Sequence, residues 1–536
     1  MPGLGRLHLF DWDEINFAEI AREMLITGNY AQVQVDFAPF YEKPPFFFWL
    51  QVLSMKLWGV NEFAARFPNA VVGIITIYSI YKIGGRIKNS RLGILWAFMY
   101  LSAILPHFYF KTGIIDPVFN YFIFVGIYSL VRLASAGDTE RVTSWALLGG
   151  LSIGLAILTK GPVGILLPVL TGCIYWICNK CQVMLRLKNL FIWLISAVLP
   201  PLSWLGYETY LHGPDFIQAF LRYQVELFNQ PVAGHGQGWY YHFLVVLVGC
   251  FPASVLALES LFKKNRLYQD PFRSVMQILF WVVMGLFSLV TTKIIHYSSM
   301  VYFPVTFLAA EYLYSLDTGI KQVQKRVLIS LGCMASLLTG LFVAVPLLGI
   351  LKDFWCYQVT DDFTKAMIAM PVPWGLQDCL VGIIYGTCNI IAYWLFRKKE
   401  IVLFGLVSSL ATMVLLSVGA RLIVPKIEAH IQKPAIEFYK ELVGQDVYIT
   451  TVGFKSYAPY FYARQPYARP CQRKERNWLL RGNIDKPAYF VVKSTDKGLL
   501  EGYAEVKLIK TEGGFSFYSR NKVTRAADRN DYPENN

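Results

Sequence analysis

Charge is what this chain has least of. Charged residues fill 16% of its 536 positions, where a soluble chain carries about 25%. That scarcity, with 55% hydrophobic and 16% aromatic residues, excludes intrinsic disorder. Cysteine is sparse too: nine in the whole chain, most inside apolar runs, build no secreted disulfide scaffold. The C-x-x-C pair Cys178 and Cys181 ends a hydrophobic run beside basic residues, a poor setting for a metal or redox motif. No collagen-like period exists, and no G-x-G-x-x-G unit sits on a strand–helix turn, so a bound nucleotide cofactor is not expected. Acidic residues are outnumbered, 36 against 50 basic, for a net charge of +14. In a soluble chain that excess would suggest nucleic acid. With a mean hydropathy of +0.41 it has a topological explanation instead, because cytoplasmic loops of membrane proteins collect Lys and Arg.

Long hydrophobic runs are abundant. Crossing about 30 Å of hydrocarbon takes about twenty apolar residues. Twelve runs qualify, near 68–84, 92–108, 114–134, 145–159, 162–178, 189–207, 240–262, 274–291, 297–314, 327–351, 375–396 and 401–420. Alternate loops between them are basic, as at Arg86/Lys88/Arg91, Lys263/Lys264/Arg266 and Arg397/Lys398/Lys399. The other loops carry scattered charges only. The basic side reads as cytoplasm, which predicts that residues 1–67, the 208–239 loop and the tail from 421 lie outside.

The resulting organisation is a polytopic α-helical membrane protein of about twelve spans. A first external segment (1–67) precedes a multispan domain (68–420), and a small external α/β domain (421–536) follows. In that tail, 426–443 reads as an amphipathic helix and 447–452, 489–492 and 506–509 as strands, with a polar stretch after Arg520. Residues 1–67 are expected outside, yet no hydrophobic run precedes them and Met1–Phe10 is too short for a signal peptide; either a further spanning helix belongs upstream of residue 1, the favoured expectation, or the start is misplaced.

The chemistry concentrates in the first segment. Ile15–Thr27 has helical periodicity, with Phe17, Ile20, Ala21, Met24 and Leu25 on one face. Asp11, Asp13 and Glu14 stand at its start, where acids complement a helix dipole or serve a reaction. Tyr41-Glu42-Lys43-Pro44-Pro45 then stiffens the chain before the aromatic run Phe46–Trp49, which suits an interfacial helix. Further on, Asp116 and Lys160 stand at the outer ends of apolar runs, where ionisable residues mark candidate functional sites.

The DE-x3-AEIAREML stretch, YEKPP and NEFAARFP resemble the first external loop of GT-C membrane glycosyltransferases. So do TGIIDP (112–117), LTKGP (158–162), the stretch from His235 to Tyr241, and Lys293 to Pro304. The resemblance is to the PMT-like superfamily of protein O-mannosyltransferases and lipid A aminoarabinose transferases, and covers most of 11–310 in order. It implies the GT-C fold, with thirteen spans and a C-terminal external domain. It also implies a reaction at the periplasmic face of a bacterial inner membrane: transfer of a monosaccharide from a polyprenyl-phosphate donor to an acceptor hydroxyl, with inversion. The acceptor is a glycolipid of lipid A type, or a secreted protein.

Carried over residue by residue, the resemblance makes Asp13 the candidate base and Asp116 a second catalytic aspartate near the acceptor. Transfer needs a base for the hydroxyl proton and positive charge for the leaving phosphate. Lys43, Lys160, Arg222 and Lys293 are the candidates for that charge; Lys43 also suits snorkelling, and Lys160 suits fixing a carboxylate. Glu14, Tyr41 and Tyr297 are expected around the substrate cavity, with Arg66 in support. Glu42 and His235 are implied as ligands of a divalent metal, zinc or magnesium. His296 departs from the resemblance and argues against carrying over sugar specificity. The rival class is a transporter, but transporters hold substrate near the midplane between repeated halves. Here the acids and bases gather at one face, and no internal repeat is evident.

Overall fold

The computed structural model describes residues 3–135, 141–181, 186–229, 237–262, 270–465 and 476–522. The chain opens with α1 (Asp13–Thr27), a short ribbon of β1 (Gln34–Val35) and β2 (Ala38–Pro39), and α2 (Phe46–Trp58). With 13 residues α2 is about 20 Å long, too short to span. It buries Phe47 and Phe48 and exposes Leu53, Leu57 and Trp58, as expected of an interfacial helix.

The bundle follows. Its helices are α3 (Glu62–Ile87), α4 (Ser90–Ser102) with α5 (Ile104–Phe108), α6 (Asp116–Ser135), α7 (Arg141–Lys160) and α8 (Val163–Cys178). Then come α9 (Leu187–His212), α10 (Asp215–Asn229), α11 (Tyr241–Gly249) with α12 (Ala253–Leu261), α13 (Pro271–Leu289), α14 (Tyr302–Asp317) and α15 (Lys325–Ile350). Two more, Leu376–Arg397 and Ile401–Leu422, complete it. Polar caps set several starts: Asn61 accepts from Ala64 N at 2.9 Å, and Asp270 from Arg273 N at 3.0 Å.

Every expected apolar run is helical, but four differ from a simple span. Among the described residues eight helices are long and apolar enough to cross a membrane, or ten if each bent pair is one span. The α4–α5 pair bends by 84° because Pro106 has no N–H for Ser102 O and its ring clashes there. Thr412 Oγ1 serves that carbonyl instead, at 2.6 Å. The α11–α12 pair bends by 119°, with Pro252 at the break. Helices α8 and α14 have 16 residues each, about 24 Å. A 3₁₀ turn, Ile295–Val301, extends α14 at its N-terminal end.

Aromatic packing holds the centre together. Trp96 of α4 contacts Phe124, Phe272 and Phe307, and Phe124 stacks on Phe303 with centroids 4.2 Å apart. The basic loops carry their own acids: Arg273 meets Glu311 at 3.1 Å and Arg326 meets Glu259 at 2.7 Å. Such pairing leaves the Lys/Arg bias intact, since that bias is not a net-charge rule.

After the bundle, helices Val424–Ile431 and Lys433–Glu441 replace the single helix expected over 426–443, with Pro434 in the first turn of the second. The sheet runs in the order β3 (Tyr448–Val452), β4 (Ala488–Lys493), β6 (Phe515–Arg520), β5 (Lys507–Glu512). Strand β3 is parallel to β4; the other pairs are antiparallel. The β5–β6 turn uses Gly513 and Gly514 at φ +57° and +80°, a backbone that two-residue hairpins require. Most of the polar stretch expected after Arg520 lies outside the described residues.

Helix α1 belongs to this domain's core as much as to the bundle. Its Phe17, Ile20 and Met24 share one cluster with Phe438, Phe461 and Phe517. Its polar side is buried as well: Arg22 pairs with Glu19 at 2.7 Å and donates to Gln465 O at 3.0 Å. Glu23 accepts from the backbone N–H groups of Asp36 and Phe37 at 2.7 and 2.8 Å. The helical period correctly gave its apolar face, while the opposite face is covered by protein.

Candidate active site

Five segments converge where α1 meets the bundle. The first is the N-terminus of α1, which carries Asp13. The Tyr41–Lys43 turn supplies Glu42 and Lys43, and Asp116 opens α6. Lys160 closes α7, a cation at the negative end of a helix dipole. Gly161, at φ +90°, then lets the chain reverse at once into α8. The 3₁₀ turn before α14 adds His296 and Tyr297.

Asp116 is 2% exposed. Lys160 Nζ lies 2.5 Å from its Oδ1 and sits over the Tyr297 ring at 5.0 Å. The loop before it is held by Asn69 of α3, whose amide donates to Thr112 O at 2.7 Å and Ile114 O at 2.6 Å. Asp13 stands more open, its side chain 31% exposed. His296 Nε2 links the two, 3.4 Å from Asp13 Oδ2 and 3.7 Å from Asp116 Oδ2. Burial works to raise the Asp13 carboxyl, but the hydrogen bond and charge of His296, with Lys43 and Lys160 nearby, hold it below the usual range.

Lys43 pairs with Glu42 at 2.8 Å, and Tyr223 of α10 donates to the other Glu42 oxygen at 3.1 Å. Burial opposes the Lys43 charge, yet Glu42, Tyr297 and Asp13 raise it above its ordinary value, so it stays an ammonium.

Beneath these groups lies a cavity of about 550 Å³. Lys43, Asp116, Lys160 and Tyr297 line its polar end; Val163, Leu166, Leu286 and Val290 are among its apolar walls. A second, almost wholly apolar cavity of about 570 Å³ lies between α6, α8, α9 and α13, and Val169 lines both. The arrangement suits a molecule with an anionic head and a long hydrocarbon tail.

The remaining expected residues are spread more widely. Neither Asp13 nor His296 is on the cavity wall; His296 stands between Asp13 and the Asp116 carboxylate that lines it. Glu14 is 2% exposed and faces away, its oxygens taken by Arg66 at 2.8 and 3.0 Å, Phe10 N at 2.9 Å and Gly113 N. It organises the site without lining it. Lys293 is buried and donates to Ser288 O and Val290 O at 3.2 and 2.5 Å, serving the end of α13 rather than the cavity. Arg222 is exposed on α10. Tyr41 packs on Phe216, centroids 5.7 Å apart. Of the implied metal pair, His235 lies outside the described residues, and Glu42 already faces an ammonium. Among the described residues no group of three His, Cys, Asp or Glu could hold a metal. His296, Asn69 and Tyr223 were not among the expected site residues; His296 stood out only as a departure from the resemblance beside Tyr297, and nothing local in the sequence marks the other two.

The chain is thus a multispan helical protein with a short apolar helix in its first loop, a carboxylate–lysine cluster at one end of the bundle and a small sheet domain packed on α1. The sequence profile of the dolichyl-phosphate-mannose-protein mannosyltransferase family matches residues 42–204. The undecaprenyl phosphate-alpha-4-amino-4-deoxy-L-arabinose arabinosyl transferase of Pectobacterium carotovorum subsp. carotovorum is 26% identical over 368 residues, 66% of this chain and 64% of that protein. Its counterpart in Erwinia tasmaniensis is 27% identical over 348 residues, 63% of this chain and 62% of that protein. The chain thus aligns with slightly less than two thirds of these relatives' length. The crystal structure of ArnT from Cupriavidus metallidurans in the apo state superposes with a TM-score of 0.76 at 17% identity, covering 96% of this chain and 95% of that one. The same protein bound to undecaprenyl phosphate gives 0.75.

Proposed function

We propose that this protein transfers a monosaccharide from a polyprenyl-phosphate carrier to a hydroxyl of a lipid A-like glycolipid, at the periplasmic face of a bacterial inner membrane. The observation that carries the proposal is the meeting of two carboxylates and two ammonium groups at the mouth of an apolar cavity. The relatives' named activity and the undecaprenyl phosphate in a solved relative agree with it. In this reading the donor phosphate lies against Lys43 and Lys160, and its isoprenoid tail follows the two cavities along α8. The acceptor oxygen attacks the anomeric carbon as the bond to the phosphate oxygen breaks. Asp13 takes the hydroxyl proton, and the phosphate leaves with the bonding electron pair, its growing charge met by the ammonium groups.

Lys43→Ala is expected to raise the donor KM and lower kcat together, because it removes charge from the phosphate in ground and transition states alike. A loss of about ten- to hundredfold in kcat/KM is expected, about 1.4–2.7 kcal/mol. Transfer from a radiolabelled polyprenyl-phosphate sugar, normalised to folded protein, measures it. An unchanged donor KM would move the phosphate elsewhere.

The orientation has its own test. Single cysteines placed within 421–440 should react with a membrane-impermeant thiol reagent in intact cells, and those within 85–91 should not. The reverse pattern would put the site in the cytoplasm and end the periplasmic reading.

A further inference from the structure

His296 stands on the 3₁₀ turn that leads into α14. Its imidazole is the meeting point of carboxylates from two distant elements, Asp13 of α1 and Asp116 of α6. Asp116 Oδ1 is satisfied by Lys160, whereas Asp116 Oδ2 is buried with no hydrogen-bond partner among the described residues and has His296 Nε2 3.7 Å away. A buried carboxylate oxygen without a partner is costly, so a donor poised beside it needs a reason.

The turn that presents the imidazole is fixed by the helix that carries Asp116. Asn120, one helical turn beyond Asp116, donates to Ser299 Oγ at 2.7 Å. Ser299 Oγ in turn donates to the carbonyl of His296 at 2.5 Å. One face of α6 therefore sets both the carboxylate and the backbone of the imidazole opposite it, as i and i+4 positions should. On the same turn, the Tyr297 ring stands edge-on to the imidazole at 5.5 Å.

We propose that His296 is a positioning residue for the transfer: its Nε2–H, shared between Asp13 and Asp116, keeps Asp13 ionised and orients its oxygens toward the acceptor. The proposal rests on the transferase reading above. The two Oδ2 atoms lie 3.4 and 3.7 Å from the same imidazole nitrogen, and two carboxylates gathered on one point disfavour joint ionisation unless a donor stands between them. The other charged or titratable groups around the pair are Asp11 beside Asp13, Tyr109 and Tyr302 on the Asp116 side, Lys160 from α7, Lys43 with Glu42 from the first loop, Tyr297 and Lys293 on the His296 turn and just before it, and His242 of α11, which pairs with Ser298 at 3.1 Å. Lys160 is committed to Asp116 and Lys43 to Glu42, so among the described residues His296 is the donor that reaches Asp13.

Two variants separate positioning from bulk. His296→Phe keeps an aromatic ring of similar size but no N–H; His296→Gln keeps a donor amide without an ionisable ring. The first measurement needs no turnover: infrared difference spectra of the protein in nanodiscs across pH, with Asp13→Asn assigning the Asp13 carboxyl band. His296→Phe should move the Asp13 midpoint up by about 1–3 pH units, and His296→Gln by less. The second measurement is the pH–rate profile. A lowered Asp13 pKa keeps the base ionised at neutral pH and puts the acid limb below the ordinary carboxylate range. His296→Phe should shift that limb upward with the spectroscopic midpoint, lower kcat about tenfold or more, and leave the donor KM unchanged, with partial recovery in His296→Gln.

An Asp13 midpoint identical in wild type and His296→Phe overturns the proposal, as does a pH-independent loss of rate in both variants. A raised donor KM with an unmoved acid limb also overturns it, making His296 a donor contact. Absence of transfer in the wild-type chain would instead defeat the transferase reading, and with it the catalytic half of this proposal, while the infrared titration still reports whether the pairing exists.

Discussion

Asp13→Asn is expected to abolish sugar transfer while leaving insertion, folding and donor binding nearly intact. The substitution is almost isosteric. An amide oxygen at position 13 can still accept from His296, so the link between α1 and the turn before α14 survives. Asp13 is the first residue of α1, whose N-cap is Trp12, so the structural loss is a negative charge at a helix N-terminus, about 0.3–1 kcal/mol. Removing a general base costs about a hundred- to ten-thousandfold in rate. The two magnitudes differ enough to tell a reacting carboxylate from a structural one. Transfer per folded molecule and binding of unreacted donor are the measurements. Asp116→Asn is the natural comparison, because it strips the partner from Lys160 as well and should disturb both binding and stability. Near-normal turnover by Asp13→Asn together with a dead, folded Asp116→Asn would transfer the base to Asp116.

What the sequence made legible follows from the period of each signal. Apolar runs of about twenty residues announce helices without help from the rest of the fold, so all twelve were placed. The bends at Pro106 and Pro252 had a local cause that could have been read, since a proline inside a run removes a hydrogen bond four residues back. Strand β6 was missed although Gly513–Gly514 between two alternating segments is a hairpin signal. The polar side of α1 had no such marker. Glu19, Arg22 and Glu23 look like a solvated face until the fold covers them: Arg22 meets Gln465, more than 400 residues away, and Glu23 meets the backbone of Asp36 and Phe37. His296 is the sharper case. Its role comes from α1, α6 and its own turn meeting at one point, and no spacing in the chain encodes that meeting. The first-loop motif drew attention to Asp13 and Lys43, and the TGIIDP stretch to Asp116, but the first-loop motif also drew Glu14 toward the cavity, where its side chain does not reach.

Glu14 therefore yields the largest stability effect. Its carboxylate and the Arg66 guanidinium are 2% and 3% exposed and form two parallel bonds, at 2.8 and 3.0 Å. Arg66 spends its other N–H groups on the carbonyls of Leu4, Leu7 and His8, and so ties the start of the chain to α3. Glu14 accepts from Phe10 N on one side and Gly113 N on the other, fixing α1 against the loop that precedes Asp116. Deleting either partner leaves a buried charge without compensation, which costs about 3–5 kcal/mol. Both Glu14→Ala and Arg66→Ala should then lower the thermal midpoint and the yield of folded protein sharply. The double variant should be clearly better than the sum of the two, since a close buried pair couples by about 0.5–3 kcal/mol. It should remain below wild type, because the three carbonyls held by Arg66 lose their donor. Molecules of Glu14→Ala that do fold should turn over at a rate near normal, with Asp13 and Lys43 still in place. If instead Glu14→Ala kept its thermal midpoint and lost transfer, the carboxylate would be part of the reaction, and the buried pair with Arg66 would have to open for catalysis.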